Sequence, residues 1–232
     1  MFQSLIALDA TLHRSLGLLP GAGFSFAKNS TTAPIAFSEM VNAARIYPIV
    51  FPLASYAPQV LLSLDHGTNL FVAEDGKWLA DYIPAHFRRW PFMLQGRNEN
   101  GEASVLFEVS APTLKEGEGT PLFEPDGEPS AALKTIIEFL AHLDGAAVYT
   151  ESLLSALEPV LVEQEITVQE NGQPISSLQG FRVVDVEKFS ALPQETFMEW
   201  RANGLLPLVY AQILSMGNVN RLATLQSERN KR

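Results

Sequence analysis

The stretch from Val160 to Val184 reads VLVEQEITVQENGQPISSLQGFRVV. Val160 to Gln169 and Leu178 to Val184 are two apolar-rich runs with strand character, and Glu170-Asn171-Gly172-Gln173 lies between them. Asn-Gly is a strong hairpin-turn dipeptide because both residues tolerate positive φ. The stretch therefore predicts an antiparallel hairpin, and a hairpin beside helical segments points away from a regularly alternating α/β chain.

Upstream of it, Leu133, Ile136, Ile137, Leu140, Leu143 and Ala147 recur at three- and four-residue spacing, as on one face of a helix. Leu153, Leu154 and Leu157 extend that stripe towards Pro159, past an expected break at Asp144-Gly145. Downstream, Pro193 to Ala202 reads as a helix stopped at Asn203-Gly204. Leu205 to Met216 is apolar and fits helix or strand, and Asn218 to Ser227 is predicted helical.

Towards the N-terminus, Leu-Gly-Leu-Leu-Pro-Gly-Ala-Gly at 16–23 reads as a turn-rich entry. Phe37 to Arg45 is predicted as a short helix capped by Ser38, with Met40, Val41 and Ala44 inward. Tyr47 to Leu53 reads as a buried strand. Gln59 to Asp65 and Thr68 to Glu74 are predicted to form a hairpin across His66-Gly67. Pro84 to Trp90 is expected to be a short helix with proline first. Phe92 to Gln95 and Ala103 to Val109 are expected strands. Residues 111–130, rich in Pro, Gly and Glu, are expected to be a mobile surface loop. The resulting expectation is an α+β fold, mainly antiparallel sheet with hairpins and packed helices, in a single domain spanning 1–232.

Composition narrows the class. The chain has 232 residues, 47% hydrophobic and 18% charged. A globular chain of this size buries roughly 70% of its unfolded surface, enough for a core without staples. There is no cysteine, which removes thiol nucleophiles, cysteine zinc sites and iron–sulfur ligation and fits a reducing, cytoplasmic location. The balance of 16 Lys+Arg against 26 Asp+Glu gives a net charge of −10, which repels nucleic acid and anionic membranes. The basic runs are Arg88-Arg89 and the tail Arg229 to Arg232, read as a solvated end. Met1 to Arg14 lacks the pattern of a signal peptide. Ile46 to Leu64 is free of formal charge for 19 residues, close to the ~20 that a spanning helix needs. However, Pro48, Pro52 and Pro58 interrupt it, and each interior proline costs a helix ~3 kcal/mol. No membrane insertion is expected.

Chemistry-bearing motifs are sparse. There is no phosphate loop, dinucleotide fingerprint or nucleophile elbow. Gly21-Ala22-Gly23 reads as a turn. His13, His66, His86 and His142 share no metal-ligand spacing, so no metal or cofactor is expected. Glu116 and Glu118 read as solvated. The densest stretch is Gly76 to Phe92, with Trp78, Tyr82, Phe87, Trp90 and Phe92 beside Arg88 and Arg89. Arginine and aromatics together are the material of binding hot spots, and arginine grips carboxylate or phosphate through paired hydrogen bonds. The competing reading makes the aromatics core and pairs the arginines with Asp81 or Glu74. Adjacent helical residues diverge, so one of Arg88 and Arg89 is expected to face a ligand while the other supports structure.

Four sets of residues carry a family resemblance. Phe26-Ala27-Lys28 is followed by Ala33-Pro34-Ile35. Glu39-Met40-Val41-Asn42-Ala43-Ala44-Arg45 runs into Ile46-Tyr47-Pro48-Ile49-Val50-Phe51. Asn69-Leu70-Phe71-Val72 leads to Trp78, Asp81-Tyr82-Ile83-Pro84-Ala85 and Arg88-Arg89-Trp90-Pro91-Phe92. Gly204-Leu205-Leu206, Tyr210-Ala211 and Leu214-Ser215-Met216-Gly217-Asn218 close the chain. In order and spacing these resemble the SapC family of bacterial proteins, associated with surface-layer systems and distinct from the peptide-transport permease of the same name. The resemblance implies no settled activity. It implies association with gene neighbourhoods containing flavin-dependent tryptophan halogenases and TonB-dependent receptors, and so an accessory or substrate-presenting role beside a partner enzyme such as a halogenase.

Three functional expectations follow. The first is a non-catalytic binding or accessory protein that holds a peptide, an acidic small molecule or a partner enzyme. Its ligand-binding residues would be Trp78, Asp81, Tyr82, His86, Arg88 and Arg89, with Arg45 and Tyr47. The second is an enzyme with a site assembled around His86, Arg88 and Tyr82. The third is a structural, homodimeric interaction protein.

Overall fold

A computed structural model describes residues 1–21, 23–65, 67–96, 104–170 and 173–231. The strands are β1 (Leu5–Ala7), β2 (Leu16–Leu18), β3 (Thr32–Pro34), β4 (Ile49–Pro52), β5 (Gln59–Leu61) and β6 (Phe92–Gln95). They continue as β7 (Ser104–Glu108), β8 (Leu114–Glu116), β9 (Thr120–Pro121), β10 (Leu161–Glu170) and β11 (Gln173–Val184). The helices are α1 (Met40–Ala43), α2 (Ala85–Arg88), α3 (Ala131–Leu154) and α4 (Val186–Ser190). α5 (Gln194–Ala202), α6 (Leu205–Ser215) and α7 (Asn218–Asn230) complete the chain. The fold is α+β, and every strand pairing is antiparallel.

The hairpin read from the sequence is present as β10–β11, paired from Leu161 opposite Val184 to Glu170 opposite Gln173, with register shifts between Gln164 and Ile166 and between Val168 and Gln169. Its turn residues Asn171 and Gly172 lie outside the described residues. The hairpin edges a five-stranded sheet ordered β10-β11-β4-β5-β3. Residues along it sort by face: Ile166, Phe181 and Val183 are buried, while Glu163 and Glu165 face water, as a half-buried sheet requires. α6 closes that side of the sheet through a buried amide. Gln212 Nε2 donates to Ile49 O at 3.0 Å and its Oε1 accepts from Val184 N at 3.1 Å. Beside it, Ser215 Oγ accepts from Ile49 N at 3.0 Å. These three bonds supply edge groups of β4 and β11 where the two strands pair over only two residue pairs.

A second apolar cluster gathers Leu16, Phe92, Phe107, Leu122, Leu133 and Leu140. It sits between the β1-β7-β6 sheet, the β8-β2-β9 sheet and the first half of α3.

Several local expectations are corrected. Thr68 to Glu74 is not a strand, and β5 pairs with β3 and β4 instead. Buried Asn69 accounts for this: its Nδ2 donates to Ala27 O at 3.1 Å and its Oδ1 accepts from Phe71 N at 2.9 Å, folding the chain back on itself. An Asx-type bond of this kind competes with a ladder. The His66 turn position lies outside the described residues, as do Ala22 and Ala103. Phe37 to Glu39 is a 3₁₀ turn before α1, and the cap is Glu39 rather than Ser38: its Oε2 accepts from Ala36 N at 2.9 Å. Val41 points outward, 52% exposed. Residues 111–130 are not simply a loop. They hold β8 and β9, both paired with β2, and bury Leu122 and Phe123. α3 runs unbroken through Asp144-Gly145, since an interior glycine costs only ~1 kcal/mol and tertiary packing outweighs it. Leu205 to Ser215 resolves as helix, with Gly204 before it at φ 79°. Ile46 to Leu64 forms β4 and β5. Among the described residues no helix is long and apolar enough to cross a membrane.

Candidate functional site

The chain from Gly76 to Phe92 is organised by a relay of hydrogen bonds. Trp78 Nε1 donates to Tyr47 Oη at 3.0 Å, and Tyr47 Oη donates to Tyr82 O at 2.5 Å. Tyr82 Oη donates to Glu39 Oε1 at 2.7 Å, and Ala85 N reaches the same oxygen at 2.8 Å. One carboxylate thus ties the entry of α1 to the start of α2. Burial pushes both phenols up, and for Tyr82 the neighbouring Glu39 adds to the effect. Both therefore stay protonated and act as donors.

This relay places the predicted residues unevenly. Tyr47 is fully enclosed, and Trp78 is buried against Phe24 and Phe87. Tyr82 is half-buried, with its hydroxyl engaged by Glu39. Asp81 is exposed and makes no hydrogen bond or ion pair among the described residues. Arg45 is exposed just after α1, apart from the cavities described below.

Arg88 and Arg89 diverge, as neighbours on a helix must. Arg88 Nε donates to Ile83 O at 3.0 Å, its guanidinium carbon lies 5.4 Å from the centre of the Phe139 ring on α3, and its Nη2 is 4.0 Å from Glu39 Oε1. Its side chain remains 45% exposed. Arg89 turns inward. Its Nη2 is 3.4 Å from His86 Nδ1, its guanidinium carbon sits 5.6 Å from the centre of the Phe2 ring, and its buried Nε has no partner.

His86 and Arg89 share a cavity of about 120 Å³. Glu39 completes the polar side, and Leu143, Ala147 and Thr150 of α3 form another wall. Burial, then the Arg89 charge, lowers His86 to about 4, so the imidazole is neutral near pH 7. Arg89 is itself lowered by burial. A volume of this order takes a carboxylate-sized head rather than a whole drug-sized ligand. The arrangement offers a desolvated guanidinium with an unused N–H, a neutral imidazole and apolar walls. Such a setting strengthens a charge-assisted hydrogen bond to an incoming anion.

Trp90 faces a different way. Its ring stacks on Phe26 at 4.2 Å and 12°, and it lines a second cavity of about 420 Å³ that shares no lining residue with the first. Among the described residues no group of three His, Asp or Glu is placed to hold a metal.

Sequence reasoning missed Glu39, the centre of the relay. Its signal was a lone carboxylate at the head of an apolar helix, three residues after Ala36, the spacing of a side chain that reaches back to cap. The α3 wall had no local signal, since Leu143, Ala147 and Thr150 meet the site only through tertiary packing.

The family model described as SapC matches residues 8–222. No curated protein and no solved structure matches the chain.

Proposed function

The chain belongs to the SapC family, and from that premise we propose that it is a cytoplasmic, non-catalytic binding protein that holds an acidic group against Arg89 and His86. The acidic group belongs to a small molecule, a peptide or an acidic segment of a partner enzyme, a flavin-dependent halogenase being the partner that the family association suggests. The observation that carries the reading is Arg89, which lines a cavity beside a neutral histidine and whose buried Nε lacks an acceptor. Buried donors are normally satisfied, and a ligand oxygen would satisfy this one.

An enzymatic reading would use His86, Arg88 and Tyr82 together. Three features favour binding over it. The Tyr82 hydroxyl is held by Glu39. Arg88 is not among the groups lining the cavity. A histidine lowered to about 4 is a weak base at neutral pH, whereas a general base works best with a pKa near the operating pH.

The test is calorimetric titration with acetate, succinate, glutamate and a short poly-glutamate peptide, on wild type, Arg88→Ala, Arg89→Ala and Arg89→Lys. Arg89→Ala should weaken binding by ~tenfold or more, as loss of one charge-assisted bond implies. Arg88→Ala should bind as wild type. Equal binding in Arg89→Ala, or no binding of any anion by wild type, would overturn the assignment. Melting temperatures of all four proteins separate lost binding from lost fold.

A further inference from the structure

The larger cavity has a different chemistry from the Arg89 cavity. Five neutral hydrogen-bonding side chains line it: Gln3, Ser25, Asn29, Ser30 and Ser110. Among the described residues the side chains of Gln3, Ser25, Asn29 and Ser30 have no hydrogen-bond partner. Phe26 and Trp90, stacked in parallel, supply the apolar part of the wall. The Trp90 indole N–H is buried without an acceptor.

The geometry is held in place by other parts of the fold. Gly76 at φ 86° lets its loop pass so close to Ser25 that a Cβ there would lie 2.5 Å from Ser25 Oγ. On the opposite wall Glu108 is buried, and its two oxygens accept five hydrogen bonds, from the backbone of Gln3 and Ser4 and from both the backbone and the hydroxyl of Ser110. Burial alone would raise this carboxyl, but those donors outweigh it and hold it at about 2. It is therefore charged at neutral pH.

We infer that this cavity is a binding site for a neutral polyhydroxylated ligand, a sugar or sugar-like polyol. Unused amides and hydroxyls match vicinal hydroxyl groups, which both donate and accept. Stacked aromatics match the apolar C–H faces of a sugar ring, and the volume of about 420 Å³ falls within the usual range for small-molecule sites. Both cavities carry a carboxylate, Glu108 here and Glu39 in the other, but the side chains lining this one include no arginine or lysine, so it lacks the guanidinium that draws an acidic group to the Arg89 cavity. A cationic amine would also meet a carboxylate and an indole here. Glu108, however, already accepts five hydrogen bonds from four donors and has little capacity left to bind an ammonium directly, whereas the side chains of Gln3, Ser25, Asn29 and Ser30 have all of theirs.

The test is tryptophan fluorescence and ligand-observed NMR with methyl glucoside, maltose, glucuronate and tetramethylammonium. The chain has three tryptophans, so Trp90→Phe, which keeps an aromatic ring beside Phe26, identifies the reporting indole. Either neutral sugar should bind saturably in the millimolar range or tighter, with an emission change that Trp90→Phe abolishes. The double variant Asn29→Ala/Ser30→Ala should weaken binding ~tenfold or more, the loss expected for hydrogen bonds made only to ligand, with the melting temperature unchanged. Glucuronate should bind more weakly than methyl glucoside. Arg89→Ala should leave sugar binding intact, so failure here and failure of the anion site are read separately. Absence of binding by both neutral sugars, binding retained in the double variant, or preference for tetramethylammonium would each overturn the inference.

Discussion

The Tyr82 hydroxyl donates to Glu39 Oε1 at 2.7 Å, and the Ala85 amide shares that oxygen at 2.8 Å. The carboxylate also accepts from Ala36 N through its other oxygen. A single buried residue therefore satisfies three donors from two separate stretches of chain. The Trp78 to Phe92 segment is positioned by this link as much as by its own aromatics.

Replacing Glu39 should accordingly damage the fold more than the exposed arginine beside it. Glu39→Ala leaves three donors without their acceptor, each worth ~1–3 kcal/mol when buried. For a chain of this length ~1 kcal/mol corresponds to ~2–4 °C in melting temperature. Glu39→Ala should therefore melt at least several degrees lower, with Tyr82→Phe, which removes one donor, intermediate. Arg88→Ala should change the melting temperature little, as exposed ion-pair partners generally do. A Glu39→Ala protein that melts like wild type would show that the relay does not position the segment.

His86 should impose a pH dependence on stability. Its folded value, about 4, lies below the ordinary 6.5, so between those values the unfolded chain binds more protons than the folded one. The stabilisation is complete above ~6.5 and is lost as pH falls towards ~4, with a slope of at most ~1.4 kcal/mol per unit. Urea unfolding at several pH values from 7 down to 5 should show the decline, and His86→Gln should flatten it. An equal slope in the variant would assign the effect to other groups.

Gly17 should not tolerate a side chain. A Cβ there would fall 2.1 Å from the Glu118 carbonyl oxygen, forcing β2 away from the turn between β8 and β9. Gly17→Ala should cost ~1–3 kcal/mol, as overpacking does, and should expose residues 111–130 to limited proteolysis. Unchanged stability and protection would mean that the small sheet adjusts without loss.

Gln212 should be intolerant of an apolar replacement. Gln212→Leu keeps the approximate volume but strands Ile49 O and Val184 N away from water, and each buried orphan costs ~1–3 kcal/mol. A lowered denaturation midpoint and faster amide exchange at Val184 are expected. Wild-type exchange at Val184 would contradict the bridging role.

Regular elements with strong periodicity were legible in the sequence: the β10–β11 hairpin, the stripe of α3, and the stop at Gly204. What was not legible depended on distant partners. Thr68 to Glu74 has the composition of a strand, yet Asn69 reaches Ala27 and bends it. Residues 111–130 have loop composition, yet β2, about a hundred residues earlier, recruits two short strands from them. At the site, the aromatic and arginine concentration drew attention to the right segment, but composition does not show which way each side chain turns. The structure separates enclosed Trp78 and Tyr47 from Arg89 and His86 in one cavity and Trp90 in another. Glu39 and the wall of α3 entered only once the chain was folded.

The amide of Gln212 carries an implication for synthesis. It completes the backbone of Ile49 from a position 163 residues later in the chain. At typical elongation rates that interval lasts roughly 10–30 s. During it, β4 has emerged from the ribosome with an apolar edge that its partner helix cannot yet cover. The Ile49 carbonyl therefore waits for α6, and this side of β4 is completed only after synthesis has passed Gln212.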